Sequence, residues 1–211
     1  MPTLQLINRK LETREKILNA AGNLFIREGL KSITMDTIAL KLGVSKRTIY
    51  ENFTSKEELI REFLLENMLK HKNELLSIVN RSENVIEALI QFGEYNREIF
   101  SKYNPLFFED LKKYYAQLFD STVDDSRVKN YEVSYLILKK GVNEGTFLKS
   151  IDIDIANRFI HNTMDFFYKL NQSTHLPHAK IWQTVFLPYI RGICTEKGLE
   201  VLKAISAVEG N

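Results

Sequence analysis

Across most of its length the chain repeats apolar residues every three to four positions, and little interrupts the repeat: 211 residues include only nine glycines and four prolines. That spacing lines one face of an α-helix. A sheet would need strict alternation and turn signals. Only residues 146–153 have β character, and nothing around them can build a sheet. The expected fold is therefore all-α. Leu11, Ile17, Leu18, Ala21, Leu24 and Phe25 make the first stripe, which Gly29 stops. Short helices follow over about 34–42, with Thr34 as N-cap and Gly43 at the end, and about 45–51, capped by Ser45. Ser55 and Glu58 have the spacing of a capping box, in which serine caps a backbone N–H and glutamate reaches back. It opens a long helix to about residue 80. Further helices are expected near 84–102, 105–120, 125–144, 152–171 and 178–197, with a tail helix at 199–207. Pro105, Asp124–Asp125, Gly145 and Asp152 mark the breaks. Pro188 lies inside 178–197; it lacks an N–H and clashes with the preceding turn, so a bend or break is expected near 184–188.

Charge is placed unevenly along this helical frame. Residues 1–56 carry ten Lys/Arg against five Asp/Glu, a net +5 in a chain whose net charge is +2. A basic head on a slightly acidic body is the pattern of a nucleic-acid-binding module joined to something else. No apolar run approaches the roughly 20 residues of a membrane span. The first sixteen residues lack the apolar core of a secretory signal. A single cysteine, Cys194, has no internal disulfide partner. These features point to the cytoplasm.

The functional signal is concentrated between Ile33 and Lys56. Two short helices joined by Leu42-Gly43-Val44-Ser45 read as a helix-turn-helix, spanning about residues 33–52. Glycine allows the left-handed turn that a tight connection needs. Ile38, Ala39, Leu42, Val44 and Ile49 supply the apolar contact between the two helices. Ser45 caps the second helix, so Lys46, Arg47 and Thr48 sit on its first turn, the part of a recognition helix that meets base edges. The domains implied are 1–54 for DNA binding, as three helices, and 55–211 for an all-helical body that binds ligand and dimerises.

The wider constellation, Phe25…Gly29, Thr34, Ile38-Ala39, Gly43-Val44-Ser45, Ile49-Tyr50, Phe53, Ser55-Lys56-Glu57 and Leu59, resembles the TetR family of bacterial transcription regulators. The likeness is strong over about residues 11–60; beyond them it rests on length and helical pattern. It implies an obligate homodimer on a palindromic double-stranded DNA operator, usually repressing until a ligand binds. Carried over residue by residue, it implies phosphate contacts from Thr34, Tyr50 and Lys56, and groove-facing roles for Lys46, Arg47 and Thr48, with Ser45 counted among the DNA-binding residues at the helix cap. Asn52 stands where the family often has histidine; its amide can donate to phosphate but cannot titrate. Glu51 puts an acid beside Tyr50.

The body carries the remaining expectations. Helices 152–171 and 178–197 are apolar on more than one face, which a helix between a core and a second subunit requires. Phe159, Thr163, Phe166, Trp182, Phe186 and Tyr189 are the expected dimer residues, in a four-helix bundle across a two-fold axis. Phe92, Tyr95, Phe107, Phe108, Tyr135 and Phe167 are the candidates for a pocket taking a small, largely apolar ligand. Such a ligand would tilt the long helix at about 55–80, read here as the only covalent link between head and body. His175 and His178 lie in an expected loop with no Cys or carboxylate partner, so no metal or cofactor is assigned. Cys194 reads as a buried structural cysteine. An enzyme is not expected, since neither a phosphate-cradling glycine loop nor a nucleophile elbow is present. An activator, or a ligand-independent structural DNA-binding protein, would use the same module.

Overall fold

The computed structural model describes residues 2–128, 131–174 and 178–209; within them, the side chains of 2–7, 164, 165, 167–174, 178, 179, 182 and 204–209 are outside the description. The helices are α1 (Pro2–Glu28), α2 (Met35–Leu42), α3 (Lys46–Asn52), α4 (Lys56–Arg81), α5 (Val85–Ser101), α6 (Pro105–Tyr114), α7 (Ala116–Val123), α8 (Tyr131–Asn143), α9 (Ile153–Thr174), α10 (His178–Ile181), α11 (Leu187–Ile193) and α12 (Glu196–Glu209), with a π-helical turn at Trp182–Phe186. They form two compact units, Met1–His71 with Asn96–Lys129, and Lys72–Tyr95 with Asn130–Asn211. The division does not follow the expected boundary at 54/55. Nor is the long helix the only link: α4 and α5 both run across the division, and the chain crosses it again at 129/130.

The first unit packs around α1. Ile17, Leu18, Ala21, Leu24 and Phe25 are buried, while Leu11 is exposed, so the stripe reaches the core only from its second half. Phe25, Phe63 and Phe107 pack edge to face in series, with centroid distances of 5.7 and 6.1 Å. Gly22 makes room for this: a Cβ there would lie 2.6 Å from the Phe63 ring. Asn104 joins two helix ends. Its Oδ1 caps α6 by accepting from Leu106 N, while its Nδ2 and backbone N–H donate to the carbonyls of Arg27 and Ile26. Carbonyls left over at the end of α1 thus find partners. The expected helix 105–120 is two helices, because the backbone leaves helical geometry at Tyr115 (φ −131°, ψ 22°).

In the second unit the core is built from Leu75, Ile78, Val85, Ile86, Val133, Leu138, Phe147, Ile160, Phe186 and Ile190, among others. The helix expected from 125 begins only at Tyr131. Asp125 instead accepts from the backbone N–H and guanidinium of Arg127, which holds 125–127 as a turn. The β character at 146–153 appears as one antiparallel bridge, Phe147 with Cys194. Gly141 lies against the buried Phe147 ring, where a Cβ would overlap it. The break expected near Pro188 is the π-helical turn that ends at Phe186. A widened turn is a way for a helix to absorb a proline whose ring would meet the carbonyl one turn back. Ser134 Oγ of α8 lies 2.5 Å from Asn157 Oδ1 and 2.7 Å from His161 Nε2 of α9. Asn157 spends its Nδ2 on the Tyr131 carbonyl. The serine proton therefore goes to Oδ1, and His161 donates to the serine through Nε2–H.

Candidate nucleic-acid interface

The helix-turn-helix is assembled by caps. Thr34 Oγ1 accepts from Thr37 N at 3.1 Å and starts α2. Gly43 ends it with φ 64° and ψ 30°, while its N–H and that of Val44 return to the carbonyls of Leu40 and Ala39. No described residue lies within 4 Å of a Cβ at Gly43, so its backbone conformation explains the glycine. Ser45 Oγ accepts from Thr48 N at 3.1 Å and starts α3. Ile38, Ala39 and Ile49 are buried between the helices, with Leu42 and Val44 partly buried beside them.

This packing turns Ser45, Lys46, Arg47 and Tyr50 to solvent. Thr48 is half-buried and its hydroxyl is engaged with Ser45 Oγ at 2.9 Å. Lys46 pairs with Asp36 of α2, and Arg47 donates Nε–H to Glu51 Oε1 at 2.7 Å. The acid beside Tyr50 is therefore directed at Arg47. Asn52 turns inward: its Nδ2 donates to the Thr48 carbonyl at 2.8 Å and its Oδ1 is buried with no partner among the described residues, so it stands apart from the solvent-facing set.

Glu58 closes the next helix start in a form that differs from the expected box. Ser55 Oγ accepts from Glu58 N, but the carboxylate reaches past Ser55 to the N–H and hydroxyl of Thr54. Those two hydrogen bonds hold the Glu58 carboxyl below its ordinary range. Lys56 is half-buried; its ammonium donates to the Lys31 carbonyl at 3.3 Å and lies over the Tyr115 ring. Burial pulls its pKa down. Lys31 in turn donates its N–H to Asp110 Oδ2 at 2.7 Å and its ammonium to Tyr114 O–H at 2.9 Å. α6 thus ties down the loop that delivers Thr34 to the surface. Asp110 and Asp36 escaped the sequence reading because their partners lie 79 and 10 residues away in the chain. The Arg47–Glu51 pair had a legible signal, the i,i+4 spacing.

The body residues are distributed differently from expectation. Phe107 is core of the first unit and Phe108 is an exposed neighbour, at 5.3 Å between ring centroids. Phe92, Tyr95 and Tyr135 belong to the second unit, and the Phe167 side chain lies outside the description. An open cleft of about 310 Å³ in the second unit is lined by Val79, Asn80, Leu136, Lys139, Lys140, Asn143 and Glu144, so none of the five aromatics whose side chains are described lines it. On α9, Phe159 and Phe166 are exposed and Thr163 is half-buried. Tyr189 stacks on Phe159 at 4.9 Å. Phe186, expected at the dimer face, is buried in the core of its own unit. The Trp182 side chain and residues 175–177, with His175, lie outside the description. Cys194 is buried, and burial raises its thiol pKa. No helix among the described residues is long and apolar enough to cross a membrane.

A capped pair of short helices, the second with a cationic solvent-facing turn, on an all-helical chain defines a helix-turn-helix DNA-binding protein. Residues 17–63 match the family model described as "Bacterial regulatory proteins, tetR family". The repressor KstR2 of Rhodococcus jostii (strain RHA1) is 25% identical over 153 residues, covering 71% of this chain and 75% of that protein. A TetR-family regulator structure from Cytophaga hutchinsonii superposes with a TM-score of 0.63 at 17% identity, over 89% of this chain and 98% of that one. Another, from Agrobacterium tumefaciens, gives 0.61 at 14% identity, over 88% and 100%. Residues 17–63 are those of a TetR-family DNA-binding domain and the chain resembles TetR-family regulators beyond them; it is a DNA-binding transcriptional regulator.

Proposed function

We propose that the protein is a homodimeric repressor that binds a palindromic operator and leaves it when a small, largely apolar ligand binds the second unit. The observation that carries the DNA half is the Ser45-capped first turn of α3, with Lys46 and Arg47 exposed beside Tyr50. Thr34, at the cap of α2, and Lys56, at the start of α4, flank it as backbone contacts. Repression is supported by relatives that are themselves named repressors.

The dimer half rests on α9. Ile155, Phe159 and Phe166 are 66%, 47% and 59% exposed, at spacings that share one helical face. An apolar face of this kind marks an interaction surface, and a second copy of the same face buries it symmetrically. For the ligand, Phe92, Tyr95 and Tyr135 remain the candidates, while Phe107 is filled core. α4 runs unbroken through both units and carries the change from ligand to reading head. The protein acts in the cytoplasm, where its operator lies.

The test is transcription from the region upstream of its own gene, fused to a reporter. Removing the gene should raise expression, and restoring it should lower it. Expression that falls on removal would assign activation instead. A panel of apolar small molecules should contain one that both raises the melting temperature and releases the DNA. Tight binding with unchanged operator affinity would refute the ligand-relieved mechanism.

A further inference from the structure

The turn of α3 that faces DNA presents its cations as ion pairs. Arg47 is 88% exposed, so no packing orients its guanidinium; the hydrogen bond from Nε–H to Glu51 Oε1 at 2.7 Å does. Arginine has two edges that can donate a pair of hydrogen bonds, one formed by Nε and an η nitrogen, the other by the two η nitrogens. Glu51 occupies the first. Only the end-on pair is left for a partner, and it matches the O6 and N7 acceptors of guanine in the major groove. The same carboxylate disfavours the competing choice. If Arg47 swung onto a phosphate, Glu51 would meet that phosphate as a like charge, whereas a guanine edge carries none.

We propose that Glu51 is a specificity-determining positioning residue: it holds Arg47 end-on for one guanine in each half-site and biases it away from the phosphate backbone. This rests on the reading of the chain as a sequence-specific regulator. Two plainer roles predict something else. A surface pair that only supports the helix, or an acid that only repels DNA, would leave discrimination between sequences unchanged.

The experiment is selection from a randomised duplex library by the wild type, R47A, E51A and E51Q, followed by anisotropy titrations at one salt concentration. The probes are the wild-type-selected duplex, the same duplex with guanine replaced by adenine, and an unrelated duplex. The wild type should prefer guanine by about tenfold or more at one position per half-site, and R47A should lose that preference. E51A should cut the preference to about threefold or less while binding the unrelated duplex more tightly. E51Q should keep most of it, because the amide oxygen still accepts from Nε. Three results overturn the proposal: an operator without a guanine that depends on Arg47, full discrimination in E51A, or a loss in E51Q equal to that in E51A. A wild type that binds at low salt yet enriches no sequence would sink the underlying reading and this inference with it, and is told apart by the library alone.

Discussion

Single residues decide whether the reading head holds its shape. Gly43 is one: its φ of 64° costs an L-residue about 1–2 kcal/mol, and there is no crowding to add to that cost. Gly43→Ala should lower stability by about that amount in urea melts, and a neutral result would mean the turn relaxes. Glu58 is another. Its folded pKa is depressed by Thr54, so the stabilisation is present above about pH 4.5 and is lost as pH falls through the folded value. The wild type should therefore be more stable than Glu58→Gln at pH 7, and the two should converge as the carboxyl protonates. Parallel pH–stability curves would show that the Thr54 contacts contribute nothing. The capping residues themselves were legible in the sequence, because Thr34, Ser45 and Ser55 each act on the N–H group three residues ahead. Glu58 was legible as a capping residue, but not its true partner. A long side chain has more than one backbone donor within reach, and only the loop geometry selects Thr54.

Among the elements, α6 has the role that sequence could not supply. It caps itself with Asn104 while closing the end of α1, and its Asp110 holds the Lys31 amide. Asp110→Ala should destabilise the protein by about 1 kcal/mol, since the exposed amide can turn to water. It should also speed hydrogen exchange at Lys31, and unchanged exchange would refute the restraint. Helix existence followed from periodicity almost everywhere, since a long amphipathic stripe has few alternatives. The misses have local physical causes. Tyr115 breaks 105–120 through its backbone, and the Asp125–Arg127 turn delays α8. Both depend on conformations that composition does not encode. The aromatics of the expected pocket divide between the two units: periodicity says that a side chain faces inward, but not into which core. Phe107 therefore fills the first unit while Phe92 packs in the second.

For the whole molecule, assembly and DNA reading are one claim, because two recognition helices reach successive major grooves only at about 34–36 Å. The α9 stripe provides a clean separation of folding from assembly. Phe159→Glu should yield a folded monomer by sedimentation, whereas a charge at the buried Phe186 should unfold the second unit. A dimer that persists in the α9 variant would place the interface elsewhere. The central claim is tested most directly by footprinting the purified protein on DNA from its own upstream region across a range of salt. Two protected half-sites about one helical turn apart are predicted, with affinity that falls steeply as salt rises. Lys46→Ala and Arg47→Ala should each weaken that binding by about 1–3 kcal/mol. Protection without sequence preference, or binding that neither salt nor these substitutions change, would contradict the account.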